Sequence, residues 1–256
     1  MIPSKDGIPL TRAPLVTLAL IAASVIVYLV AIASGGSLLG GPSVVTVVRW
    51  GAIPYEWAHY GQHCAIGLAG AGQAVLCTGQ PDVVGRVGSQ PPTWITAFSS
   101  IFIARDLLQL IVNLTLLAVF GAAVEDELGR ARFVALYLLG GLVWLAIAVG
   151  AGPGSTVPLI GNAGALGAVI GAYLALRPRA QIVSVRLVPL FFAIVETPAW
   201  AWALAWVAFD ALFGALGTFT GLGAGAGATY YVHYACLVLG ALAAARSRGS
   251  GELATG

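Results

Sequence analysis

The stretch LLQLIVNLTLLAVFGAAV, residues 107–124, holds eighteen residues without one acidic or basic side chain, and Glu125, Asp126 and Glu127 follow at once. A helix rising about 1.5 Å per residue carries such a run across most of a hydrocarbon layer ~30 Å thick. In that layer the backbone has no water to bond, so a run of this length reads as a helix and not as a strand. Asp106, Gln109 and Asn113 fall at i, i+3 and i+7 and give the run one polar face.

Five further runs of the same kind flank it, at 13–33, 133–150, 159–176, 198–216 and 228–245, the fifth of the six interrupted by Asp210. Of the 256 residues, 59% are apolar and 9% are charged. Soluble domains carry about a quarter of their residues as Asp, Glu, Lys or Arg, so a water-soluble protein is excluded. A net charge of +2 without any basic run excludes a nucleic-acid partner. The expected fold is all-α: six membrane spans forming one domain over 1–256, with a long extracytoplasmic loop at 34–106 and a short tail at 246–256. The solvent, and the first partner, is the lipid bilayer.

Positive charge sets the orientation. Lys5 and Arg12 precede the first run, Arg130 and Arg132 separate the second from the third, Arg177, Arg179 and Arg186 follow the fourth, and Arg246 and Arg248 follow the sixth. These are nine of the twelve, all on one side, which places both termini in the cytoplasm. Arg49, Arg86 and Arg105 share the long loop. The first run is too long for a signal-peptide core and is kept as a permanent span. Abundant alanine and 34 glycines fit a GC-rich bacterial genome, hence a bacterial plasma membrane.

The loop at 34–106 is rich in Gly and Pro and carries Trp50, Tyr55, Trp57, Tyr60 and Trp94. Aromatics of this kind suit the headgroup layer, and loops this long hold structure of their own. An outer subdomain resting on the membrane is expected. Cys64 and Cys77 face the oxidising side there, and a bridge between them would contribute on the order of 3 kcal/mol. Glu56, His59, His63 and Cys64 imitate a metal cluster, but helical spacing of the histidines alone supports that, and surface histidines are the commoner case.

Polar groups inside spans are costly unless paired, so they mark sites or contacts between helices. Besides Gln109 and Asn113 there are the turn Gly161-Asn162-Ala163-Gly164 in the fourth run, Asp210 in the fifth, and His233 with Cys236 in the sixth. The second, fourth and sixth runs all enter from the outer face. Gln109, Ala163, His233 and Asn113 then lie roughly 3 to 9 Å below that end. One shallow polar level results.

Residues from Trp94 through Asn113 to Phe120, Gly121, Glu125 and Gly129 resemble the second helix of rhomboid intramembrane serine proteases. Gly161 to Gly164 with Gly171, Ala172 and Tyr173, and His233 with Gly240, resemble the family's fourth and sixth helices. The similarity extends over the loop, the approach at 9–16 and the stretch at 189–200. It implies a rhomboid-like bundle that cuts transmembrane substrates without metal or cofactor. A serine in a Gly-x-Ser-Gly turn attacks, a histidine of the sixth helix takes its proton, and a histidine and an asparagine of the second helix help stabilise the oxyanion.

At those positions this sequence has Ala163 for the serine and Gln109 for the helix-two histidine, while Asn113 and His233 are kept. Ala104 stands for a second histidine, and Ala168 and Cys236 stand for glycines. Cys236 is expected to hold the fourth and sixth helices apart. A vestigial site of His233, Asn113, Ala163 and Gln109 follows, with Asp210 or Asn113 as partner to His233. The preferred function is an inactive relative that binds transmembrane segments of client proteins. An active endopeptidase with an unusual nucleophile, drawn from Thr96, Ser99, Ser100 or Cys236, is the alternative. A small transporter built on Asp106, Glu196 and Asp210 is disfavoured by the lack of inverted repeats.

Overall fold

The computed structural model describes every residue except 1, 7–9, 70–71, 82, 84–89, 189–190, 209–225 and 254–256. In chain order the described elements begin with strand β1 (Ile2–Asp6) and helices α1 (Leu15–Ala33), α2 (Val44–Trp50) and α3 (Pro54–Ala58). A hairpin β2–β3 (Cys64–Ala69 and Gly72–Cys77) precedes helices α4 (Thr93–Phe102), α5 (Leu107–Leu128), α6 (Arg130–Ala151) and α7 (Ala163–Leu176). A second hairpin β4–β5 (Gln181–Val188 and Phe191–Pro198) is followed by helices α8 (Ala199–Ala208) and α9 (Ala226–Leu253).

The chain is therefore mostly helical rather than all-α. Among the described residues, α1, α5 and α6 are long and apolar enough to cross a membrane, and α4, α7 and α8 are shorter apolar helices. The strands lie outside these long runs, where the rule that forces helices in hydrocarbon does not apply. β1 pairs antiparallel with β4, and β4 with β5, in the order β1-β4-β5. Within α5, residues Leu117–Gly121 widen into a π-turn.

The residues fall into two compact units. One comprises Met1–Ala22, Ile111–Gly140 and Gly164–Gly256. Here α1 receives its N-terminal cap from another helix: Glu125, 3% exposed, accepts the N–H groups of Val16 at 3.0 Å and Thr17 at 2.7 Å and the Thr17 hydroxyl at 2.8 Å. The first turn of a helix leaves its amides without partners, and a carboxylate there also meets the positive end of the helix dipole. Asp126 accepts the N–H and hydroxyl of Thr11 and the N–H of Arg12 at 2.7 to 3.0 Å.

Helix α7 is buried along nearly its whole length and touches its neighbours through small residues. A Cβ on Gly171 would strike the carbonyl of Leu237, and one on Gly240 the carbonyl of Ala168. Backbone-to-backbone approach of this kind is how helices associate where apolar burial offers no drive between them.

The other unit comprises Ala23–Leu110 and Gly141–Ala163. Val48, Ile53, Tyr55 and the Cys64–Cys77 disulfide form its small core, with Ile66 and Val75 packed against it. The bridge closes the mouth of β2–β3, where Cys64 and Cys77 stand opposite each other in the register. Tyr55 is buried, unlike the interfacial role expected of it; Tyr60 and Trp94 are exposed and Trp50 and Trp57 border on exposure.

Candidate functional site

The approach to α7 is held by three ties within one unit. Ala52 and Leu159 exchange backbone hydrogen bonds of 3.0 and 2.8 Å, Tyr55 N–H donates to Ser155 O at 3.0 Å, and Gly161 N–H donates to Ser100 O at 2.8 Å. These bonds hold residues 155–161 in a non-helical path, which is why the helix starts at Ala163 and not at 159, where the apolar run begins. Gly161 has φ +107°, a conformation open to glycine and costly for a residue with a Cβ. Gly161 thus fixes the tight turn that delivers Asn162, buried, and Ala163, half-buried, at the start of the helix.

Gln109 lies beside this turn. Its Nε2 is 3.5 Å from the point where a Cβ on Gly161 would stand, and its Oε1 accepts the Arg105 N–H at 2.7 Å. The Gln109 N–H donates to Asp106 Oδ1 at 2.7 Å, so Asp106 caps the start of α5. The structure brings Gln109 to the glycine turn. Asn113 follows one turn later on α5 and is half-buried.

In the other unit, α7 continues to Gly167, where an added Cβ would come within 3.0 Å of His233 O, 3.3 Å of the Trp206 ring and 3.4 Å of Cys236 Cβ. His233 is 6% exposed, and the Trp206 ring centroid lies 5.9 Å from its own, tilted by 31°. The neighbouring Tyr234 ties α9 to α8, its OH donating to Val207 O at 3.0 Å. Asp210, the other suggested partner of His233, lies outside the described residues.

Cys236 does not separate the helices as expected. Its side chain packs opposite Gly167, its thiol donates to Gly140 O at 3.5 Å, and the approaches at Gly171 and Gly240 remain at backbone distance. A glycine on α7 takes up the volume that a glycine on α9 would have left. Sequence reading missed this exchange, and it also missed Trp206; the only signal for the latter is the recurrence of tryptophan at Trp202 and Trp206, one helical turn apart.

The substitute nucleophiles are all engaged in hydrogen bonds to backbone carbonyls. Thr96 and Ser100 donate back to Thr93 O and Ala97 O, and Ser99 donates to Trp50 O at 2.7 Å. Among the described residues these three hydroxyls donate to backbone carbonyls, and none is paired with an imidazole, the usual activator of a serine. In the loop, His59 stacks on Tyr55 and its Nδ1 is 3.0 Å from Tyr55 O, whereas His63 Nδ1 stands 3.9 Å from Glu56 Oε1. Glu56, buried, accepts the Cys64 N–H at 2.6 Å and so ties α3 to the disulfide hairpin. Burial raises its carboxyl above the ordinary value, against the opposing pull of that hydrogen bond and of His63.

No curated protein and no solved structure matches the chain. A model of the Rhomboid domain matches residues 91–247, which takes in α4 to α8 and most of α9. That match covers well over half of the sequence, and the chain belongs to the rhomboid family.

Proposed function

We propose that this rhomboid-family membrane protein has lost peptidase chemistry and binds the transmembrane segments of client proteins, crossing the bilayer six times with both termini in the cytoplasm. The observation that carries the reading is Ala163. It opens α7 after the Gly161 turn, where the family places its serine, and a methyl group cannot form the acyl-enzyme. Without a nucleophile, binding and electrostatics alone leave a small residual acceleration. Gln109 supports the same reading, because its oxygen is already engaged at Arg105 N–H and its amide nitrogen lies against Gly161.

Client binding is supported by apolar side chains that face outward from the spans, Ile111 and Val112 on α5 and Leu204 on α8 among them. A photoreactive residue in place of Leu204 is expected to crosslink to a co-reconstituted single-pass membrane protein. Failure to capture any such segment, at Leu204 and at Ile111 alike, would count against it.

Peptidase activity is tested directly by incubating the purified chain with a single-pass substrate and a fluorophosphonate label. Neither cleavage nor labelling is expected. Labelling that disappears in His233→Ala would establish the enzyme instead. The pair Ala163→Ser and Gln109→His is expected to restore measurable cleavage if the scaffold still admits substrate.

A further inference from the structure

We propose that a cavity beside the start of α1 binds the phosphate of an anionic phospholipid headgroup through Arg12 and Arg130. It is a partly open pocket of about 240 Å³, its lining including Arg12, Pro14, Glu125, Asp126, Gly129 and Arg130. That volume is well above what one water molecule needs and leaves room for more than a single bare ion. The cavity lies where three membrane helices have their ends: α1 begins at Leu15, α5 stops at Leu128 and α6 begins at Arg130. Ends of spans lie at the level of the lipid phosphates.

Two carboxylates also line the cavity, and what already occupies them decides its character. Glu125 Oε1 accepts Val16 N–H, and its Oε2 accepts the N–H and hydroxyl of Thr17. Asp126 Oδ1 accepts the Thr11 hydroxyl and Arg12 N–H, and its Oδ2 accepts Thr11 N–H with Arg177 Nη2 at 3.8 Å. Arg177 also reaches Glu127 at 3.2 Å. Both carboxylates are thus turned inward onto the backbone.

The two guanidinium groups are placed differently. Arg12 is exposed, and Arg130, 57% exposed, reaches Glu125 only through a long ion pair from its Nε at 3.8 Å. Planar forks of donors match phosphate oxygens in pairs, and basic pockets between spans on the cytoplasmic side take lipid headgroups. A diester phosphate with net negative charge, anchored by its acyl chains beside α1 and α6, meets both arginines while the hydrogen bonds that Glu125 and Asp126 accept from residues 11–17 stay in place. This assignment uses no residue of the Ala163 region and stands whether or not the chain retains peptidase activity.

The test uses the full chain in detergent, titrated separately with phosphatidylglycerol, phosphatidylcholine of the same acyl chains, and inorganic phosphate, and read by native mass spectrometry and thermal unfolding. Phosphatidylglycerol is expected to be retained over phosphatidylcholine. Arg12→Ala, which keeps the backbone N–H that Asp126 accepts, should weaken that retention about fivefold, and adding Arg130→Ala about fivefold more. Arg132→Ala, outside the cavity, should leave it unchanged. Equal retention of the two lipids, equal loss in Arg132→Ala, or inorganic phosphate stabilising the chain as well as phosphatidylglycerol would overturn the proposal. Should the double variant fail to fold, Arg12→Ala against Arg12→Lys decides alone: partial recovery with lysine is expected, and wild-type retention in the alanine variant refutes it.

Discussion

Glu56 shows how much one side chain can carry outside the spans. Its carboxylate is 7% exposed, accepts Cys64 N–H at 2.6 Å and stands 3.9 Å from His63 Nδ1. Burial is the largest influence on it and lifts its carboxyl above the ordinary 4.5. The folded state therefore holds the proton more tightly than the unfolded one. Its contribution to stability is full below the ordinary value and is lost as pH rises through the raised one. Glu56→Gln should remove that part of the pH dependence while keeping an acceptor for Cys64 N–H, whereas Glu56→Ala should cost about 1–3 kcal/mol by leaving the amide without one. Hydrogen exchange of Cys64 and its neighbours across about pH 4 to 7 would check both; a pH profile unchanged in Glu56→Gln would contradict the assignment. Little of this is legible in sequence. Glu56 stands out there only as a neighbour of histidines, because its partner is a backbone amide that has no letter of its own. Gln109 divides the same way: its position on the polar face of α5 can be read from spacing, but its bonds to Arg105 and its place beside Gly161 depend on a turn far along the chain.

Among the elements, the helices were readable and the strands were not. Uncharged runs identify α1, α5 and α6 because hydrocarbon permits one solution for such a run. The stretch at 181–198 is also apolar, with Arg186 and Glu196 its only charged residues. An apolar run of that kind fits strand or buried helix equally, and what makes it a sheet is partly β1, whose Ile2 pairs with Val185 across more than half of the chain. The start of α7 was misplaced for a related reason: the ties from Ala52, Tyr55 and Ser100 that hold residues 155–161 are long-range. Small residues are more informative once packing is known. Gly171→Ala or Gly240→Ala would drive a methyl into the backbone of a facing helix and should destabilise by about 1–3 kcal/mol or more. Gly150→Ala, whose added Cβ meets nothing within 4 Å, should be neutral or gain up to about 1 kcal/mol. Equilibrium unfolding of the three variants in mixed micelles would measure the contrast, and equal effects would show that the close approach carries no energy.

At the level of the whole molecule, charge placement makes the boldest statement. Nine of the twelve Lys and Arg residues fall on connections assigned to one face, so reporters fused to the two termini should both report the cytoplasm. Reporters on opposite sides would remove the common depth of Gln109, Asn113, Ala163 and His233 that the sequence argument relies on. The family and the membrane class were legible because they depend on order and spacing over more than half the chain. At the site, what sequence offers directly is the pair of letters at Ala163 and Gln109, which differ outright from the family pattern the chain resembles. How Cys236 fits was not legible, since the compensating glycine sits on another helix.

The cap on α1 has a consequence for how the protein is made. Val16 and the carboxylate that receives its amide are 109 positions apart in the chain. At about 5–20 residues per second, the ribosome delivers Glu125 on the order of 5–20 s after Val16 has emerged. During that interval the leading amides of the first segment have only water to bond. The first segment is apolar enough to enter the bilayer by itself, but its start gains this fixed partner only once the second long segment has been made.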